Sequence, residues 1–304
     1  MKSLKKQGGF TLLELLVVVG LMAAVAVVAV STYDDADASA SISTDLSNIQ
    51  AIDQGIRNYA GKNNGNYPEQ LDSLLTQEGD AYVLLANKTK AALQALPVVD
   101  EGISEAILEA LEGNGMEEFQ FITKTANDSV DMAAFFKKDP NAQHPEASGN
   151  GLEADADTTT KLTIVANKLT GTGAKCEVDG MNYSAAATLD GAAIDATKNN
   201  VLNAISDQFE SDVCNVVVAL GVGGDAAANS QGAIGATSSD AVKDKAANYS
   251  RYLGLFHVAQ DGIADGTFNG VIDANEVFAK PRFVGVINPL GQGSNELNKL
   301  KNTQ

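Results

Sequence analysis

Apolar positions are spread very unevenly along this chain. Residues 10–30 are almost continuously apolar and contain one charge, Glu14. As a helix this run spans roughly 31 Å, close to the hydrocarbon thickness of a bilayer. Further on the pattern changes. Ile42, Leu46, Ile49, Ile52, Ile56 and Tyr59 recur at spacings of three and four, which draws an apolar seam along an otherwise polar helix. No proline interrupts residues 10–60, so the two patterns predict a single rod of roughly 75 Å. Its first half suits a membrane or an assembly core, and its second half suits the underside of a globular head. Gly61, followed by Lys62-Asn63-Asn64-Gly65-Asn66, predicts the end of the rod.

The remainder reads as a mixture of short strands and helices. A turn and helix are expected over residues 67–74, and further helices over 82–96 and 104–111, parted by Pro97 and Gly102. Residues 119–123 suit a short strand. Pro140, Pro145, Gly149 and Gly151 mark 139–157 as a linker or exposed loop and the best domain boundary. Beyond it, 161–166 and 176–179 have strand character, and 192–210 carries the spacing of an amphipathic helix. Residues 213–220 suit a buried strand, and the Gly-, Ala- and Ser-rich 222–239 suits a loop. Residues 249–259 fit helix and strand equally. Residues 282–287 form a last strand closed by Pro289. The expected fold class is α+β, a long N-terminal helix packed against an antiparallel sheet with extra helices. No internal repeat is visible.

Lys2, Lys5 and Lys6 precede the apolar run, while Asp34, Asp35 and Asp37 follow it. That asymmetry places the N terminus in the cytoplasm and the bulk of the chain outside. A secretory signal peptide would need a small-residue cleavage site after the run, for which Ala36-Asp37-Ala38 is available. A long apolar stretch with an embedded acid argues against it. The segment Lys6-Gln7-Gly8-Gly9-Phe10-Thr11-Leu12-Leu13-Glu14 resembles the processing site and N-terminal helix of type IV pilins and type II secretion pseudopilins. The resemblance covers about the first sixty residues. It implies that a prepilin peptidase cuts after Gly9 and that the new amine of Phe10 is N-methylated. It also implies that Glu14 meets that amine on a neighbouring subunit during assembly. A carboxylate within hydrocarbon costs several kcal/mol, so pairing two costly charges rewards subunits in the correct register. An acid snorkelling at the membrane edge is the plainer alternative. Many family members carry a helix-kinking proline where this chain has Ser31.

The chain has 304 residues and a formal net charge of −18. Such acidity opposes phosphate contacts, so nucleic-acid binding is not expected. Removal of the rod leaves enough chain for one large head or two sub-domains. The division expected is a leader at 1–9, a long helix at 10–60 with its transmembrane half at 10–30, a helical part of the head at 61–145, and an α/β part at 146–304. Cys176 and Cys214 are the only cysteines. In an exported chain they read as a disulfide worth on the order of 3–4 kcal/mol, against the alternative of two buried thiols.

Candidate chemistry concentrates at Asp265-Gly266-Thr267-Phe268-Asn269-Gly270-Val271-Ile272-Asp273-Ala274-Asn275-Glu276. Asp265, Thr267, Asn269, Asp273 and Glu276 place oxygens where a calcium loop needs them. The Val271 carbonyl is a further ligand, Gly270 permits the turn, and Ile272 would anchor the loop. Pseudopilins hold calcium in head loops, so the resemblance implies Ca2+ as a candidate ion. An ion-free Asp/Asn/Gly-rich turn is the alternative, and Asp155 to Asp157 reads as a solvated loop. No catalytic constellation stands out. His144 and His257 are the only histidines and neither has a metal-ligand neighbour at the right spacing. Gly221-Val222-Gly223-Gly224 lacks the following helix that a nucleotide loop needs. Asn87, Asn127, Asn182 and Asn248 begin Asn-x-Ser/Thr patterns that carry no weight in a chain of this composition.

Together these features predict a non-enzymatic filament subunit. It would sit N-in and single-pass in the inner membrane, then pass into an extracellular pilus or a periplasmic pseudopilus. Its partners would be copies of itself, the prepilin peptidase and N-methylase, and inner-membrane assembly machinery. A membrane-tethered calcium- or ligand-binding module that never polymerises is the alternative.

Overall fold

The computed structural model describes residues 12–76, 93–97, 101–122, 152–153, 161–167, 176–183, 188–189, 192–193, 209, 213–223, 226, 234–235, 238–242 and 249–303. A single helix α1, Leu12–Lys62, runs through both predicted patterns without a break. The seam behaves as its spacing requires. Ile49, Ile52, Ile56 and Tyr59 are buried, and Ile42 and Leu46 pack against the same core. The helix ends one residue later than Gly61 suggests. Asn64 and Gly65 take positive φ, and Gly65 N–H donates to the Ala60 carbonyl at 2.7 Å, closing the last turn with the glycine that tolerates that backbone.

The head is built on an eight-stranded sheet. Its strands are β1 (Leu71–Thr76), β2 (Gln94–Pro97), β3 (Glu118–Ile122), β4 (Leu152–Glu153), β5 (Lys161–Asn167), β10 (Asn215–Gly221), β11 (Leu253–Gln260) and β12 (Val277–Ile287). Two small hairpins lie between them in sequence, β6 with β7 (Glu177–Val178 and Met181–Asn182) and β8 with β9 (Thr188–Leu189 and Ala192–Ala193). The main path runs β12-β11-β10-β1-β3-β4, with β5 joined to both β10 and β2. All pairs are antiparallel except β1 with β3. Among the described residues, helix α2 (Ile103–Glu112) and a C-terminal helix α3 (Ser294–Thr303) join the sheet in an α+β head.

Several expectations change here. Residues 71–76 form a strand where a helix was expected, because Leu71, Asp72, Ser73 and Leu74 are all buried. A run buried on both sides suits a central strand rather than a helix with one wet face. The ambiguous 249–259 resolves as strand β11, locked between β10 and β12. The last strand begins at Val277, earlier than 282, and α3 follows it unforeseen. Of the helix expected over 82–96, the described part is strand β2, paired to β5. In 192–210 the described Ala192–Ala193 is strand β9 and Phe209 lies in a bend; the rest of that segment, most of the 139–157 linker and most of 222–239 lie outside the described residues. Strands from both sides of the expected domain boundary share the one sheet.

The Gly221 to Gly223 segment has a steric explanation. A Cβ on Gly221 would collide with the Tyr249 hydroxyl, and a Cβ on Gly223 with the carboxylate of Asp72. Tyr249 donates to Asp72 Oδ2 at 2.6 Å beneath these two residues. The glycines thus make room for a buried polar pair. Burial, the nearby Asp72 carboxylate and this hydrogen bond hold the Tyr249 hydroxyl protonated, pushing its pKa well upward.

The contact that fixes the rod against the head is polar. Asp45 lies on the same face as Ile49 and Ile52 and is 1% exposed. Its Oδ1 accepts from the Tyr252 hydroxyl at 2.7 Å, and its Oδ2 from Ser239 Oγ at 2.8 Å and Asn288 Nδ2 at 2.9 Å. Asn48, one turn along, donates to Tyr252 at 3.0 Å. One carboxylate of α1 therefore ties together the 238–242 segment, the entry to β11 and the turn after β12. Replacing it strands three buried donors, each costing on the order of 1–3 kcal/mol. Asp45→Ala is expected to lower unfolding free energy by about 3 kcal/mol or more in denaturant titration of the detergent-solubilised chain. Tyr252→Phe is expected to cost about 1 kcal/mol. Equal, small effects from both would show that Asp45 is not the anchor.

Candidate functional site

Below the head, α1 presents a bare apolar surface. Leu12 is 82% exposed and Val27 71%, and the large side chains between them are also exposed. Elsewhere among the described residues the exposed large apolar side chains are only Met181, Ile263 and Phe268. The apolar surface is thus gathered on one stretch of one helix, far beyond the scattered exposure normal for a water-soluble head. Glu14 sits in the first turn of α1, inside that stretch. Gly9 and Phe10 lie outside the described residues. Among the described residues no helix is long and apolar enough to cross a membrane; the apolar run of 10–30 extends past both ends of the stretch whose side chains are described.

In the head, Cys176 and Cys214 form the expected disulfide, with Cα atoms 5.2 Å apart. It joins the β6-β7 hairpin to the start of β10. The hairpin has further attachments. Asp179, at its turn, accepts from the backbone N–H groups of Ile103 and Ser104 at 2.7 and 2.8 Å, capping the N terminus of α2 with a carboxylate where the helix dipole favours one. Glu177 exchanges backbone hydrogen bonds with Gly270 and Ile272, docking the 261–276 loop against the disulfide.

That loop contains every residue expected to bind calcium. Gly266 and Gly270 take positive φ, as the turn pattern requires, and Ile272 is buried. The side chains, however, are engaged with backbone. Asp265 Oδ1 accepts from Thr267 N–H and Asn269 Oδ1 from Val271 N–H, both at 2.7 Å. Glu276 accepts from Gly262 N–H through Oε1 and from Asp273 N–H through Oε2, the latter at 2.9 Å. It closes a reciprocal cap on the single 3-10 turn Ala274–Glu276. Asp261, which sequence spacing did not single out, is buried and accepts from Asn269 and Gly270 N–H. Among the described residues no group of three or more His, Cys, Asp or Glu side chains is arranged to hold a metal ion. In this conformation Glu276 acts as a clamp on the loop's own amides, and the set does not form a calcium cage. Burial raises the Glu276 pKa above the usual carboxylate range. The two amide bonds lower it again, while the Asp261 and Asp273 charges raise it.

His257 is 2% exposed within β11, and its Nε2 has no hydrogen-bond partner among the described residues. Its ring packs on Phe209 at 4.2 Å and edge-on to Phe278 at 4.8 Å. Among the described residues no acid or thiol is grouped with it to hold a metal ion. It is a core residue, as its apolar surroundings in the sequence suggest. Burial, reinforced by the Arg282 charge, lowers its pKa to about 4, with a backbone hydrogen bond at Ala259 acting the other way. His144 lies outside the described residues.

Residues 4–30 match the family model of the prokaryotic N-terminal methylation motif. This is the signature of type IV pilin and pseudopilin prepilins, and the chain carries a prepilin-type N terminus. No curated protein and no solved structure gives a match to the chain. The matched segment ends where the apolar run of α1 ends. The sequence showed the methylation motif by resemblance, the acid and the cysteine pair by inspection, and the seam by spacing. Spacing passed over Asp45, Asp72, Asp179 and Asp261, whose only signal would have been an acid falling on an otherwise apolar face or beside glycines.

The buried histidine makes a pH prediction. Below about 6.5 an unfolded histidine binds a proton, while the folded one stays neutral down to about 4. Its contribution to stability is therefore complete above 6.5 and is lost as pH falls toward 4, by at most about 3 kcal/mol. His257→Leu is expected to flatten the fall in unfolding free energy between pH 6.5 and 5. An unchanged slope in the variant would assign that fall to other groups.

Proposed function

We propose that this chain is a structural subunit of a type IV pilus-like filament, processed after Gly9 and assembled through its N-terminal helix. The observation that carries the reading is continuity. The methylation motif of residues 4–30 runs directly into a helix whose first half is bare and apolar and whose second half is bound into a head. Before assembly, lipid covers the apolar half, with the head on the extracytoplasmic side. In the filament, neighbouring copies of the same helix cover it. Glu14 is costly in either apolar setting unless an opposite charge meets it, and the amine freed at Phe10 is the charge that processing creates. The head contributes surface rather than catalysis. Type IV pilus and pseudopilus share this assembly logic, and the account covers both.

Gly9→Ala is expected to leave the full-length precursor in the membrane, seen as the larger band on a gel. Glu14→Val is expected to be cut normally yet to fall at least tenfold in the fraction released by shearing cells, a loss of about 1.4 kcal/mol per tenfold in an equilibrium. Full release of the Glu14→Val chain would remove the charge-pairing role. A parent chain that is cut but stays wholly with membranes would favour a tethered module over a filament subunit.

Calcium at the 265–276 loop is a second reading, supported by the shared field of Glu276, Asp261 and Asp273, which a divalent cation would neutralise. The ion would have to take Glu276 from the amides of Gly262 and Asp273. Calcium is then expected to raise the melting temperature of the detergent-solubilised chain, and Glu276→Gln to abolish the rise. An equal response, or none, from the parent and the variant would leave the loop held by its own hydrogen bonds.

A further inference from the structure

In a chain of net charge −18 with only three arginines, two of them share one cleft. The cleft, about 690 Å³, opens between the upper end of α1 and strand β12 and is lined by Arg57, Tyr67, Phe278, Lys280, Arg282 and Phe283. The guanidinium of Arg57 lies 4.9 Å from the Phe283 ring centre, and that of Arg282 lies 4.5 Å from that of Phe278. Stacking fixes the plane of Arg282 while leaving its N–H edge available to a carboxylate. Arg57 is already paired with Asp53 at 2.7 Å. The side chains of Lys280 and Arg282 are exposed and have no ion pair or hydrogen bond among the described residues.

The same head carries a feature of opposite charge. Glu101, Glu105 and Glu109 follow each other at intervals of four, from the turn before α2 onto its exposed face, and no basic residue lies in α2. Glu105 stands in the first turn, where the helix dipole favours an acid, and accepts from the Glu101 N–H, while Glu109 one turn on is exposed. Neither Lys280 nor Arg282 reaches this ridge within the chain.

We propose that the Lys280–Arg282 cleft of one copy receives the Glu105–Glu109 ridge of the next. The inference rests on the filament reading above and names a head-to-head contact within it. Charge complementarity selects the occupant. A second copy is the anionic surface present at highest concentration in a filament, and a cleft meeting a different surface forms a heterologous contact, the kind that propagates an open helical polymer rather than closing a dimer. Exposed pairs contribute little singly; repeated at every subunit of an acidic chain, they relieve repulsion and fix register.

The test is a charge exchange in the full chain in cells, with shearing as the readout and the processed membrane pool as the control for folding. Lys280→Glu with Arg282→Glu is expected to cut sheared filament roughly tenfold, as is Glu105→Lys with Glu109→Lys, with the processed pool unchanged. All four substitutions together are expected to restore most of the yield. Lys280→Gln with Arg282→Gln gives a milder loss and serves if the reversals deplete the processed pool. Normal filaments from either pair, or no recovery in the fourfold variant, overturn the contact and leave the filament reading standing. Normal filaments that lose attachment to acidic polysaccharide would instead assign the cleft to a foreign ligand, and so overturn it too. If the parent itself never reaches the sheared fraction, the filament reading fails and this contact with it.

Discussion

The apolar surface of α1 below the head must never face water. Residues 12–27 expose leucine and valine on every side of the helix, and at about 25 cal/mol per Å² such a surface makes an aqueous monomer untenable. Two environments satisfy it, lipid and a bundle of like helices, and they differ little in polarity. Exchange between them is therefore governed by packing and by the few polar groups present rather than by the hydrophobic effect. Glu14 is the polar group in that stretch. It stands four residues after Phe10 in the sequence, so on the proposed reading chemistry at the N terminus and selection between the two environments would be coupled through one carboxylate.

That coupling is useful only if the head stays rigidly attached to the rod, since a helix transferred alone would carry no surface with it. The attachment combines an apolar seam with a buried acid. Ile49, Ile52, Ile56 and Tyr59 supply non-directional burial, whereas Asp45 supplies direction by gathering donors from three separate segments of the head. A misregistered helix would present the wrong residue to Tyr252, Ser239 and Asn288 and leave all three unsatisfied in the interior. The Cys176–Cys214 bridge performs a comparable task further out. It gathers the β6-β7 hairpin, the cap of α2 and the 261–276 loop onto the end of β10.

What could be read from the residues follows from the range of the forces involved. The rod was legible because helix periodicity is local, and the processing motif because it is a contiguous string. Strand β10 was legible because a short, strongly apolar run has few other homes. Residues 71–76 were misread because a buried central strand and a buried helix look alike over six positions, and the choice is made by β10 and β3, distant in sequence. Asp45, Asp72 and Asp179 were invisible for the same reason, since their partners lie up to 243 residues away. The loop at 265–276 shows the converse. Its spacing resembles a cation loop, yet Glu276 and Asp261 spend their oxygens on backbone amides, an outcome that depends on Gly262 and on docking to Glu177.

Mass mapping of the N-terminal peptide from material sheared off cells tests the central claim most directly. The account predicts a chain that begins at Phe10 and carries one added methyl group on its terminal nitrogen. A peptide beginning elsewhere, whether with the leader lysines retained or after residue 38, would contradict it.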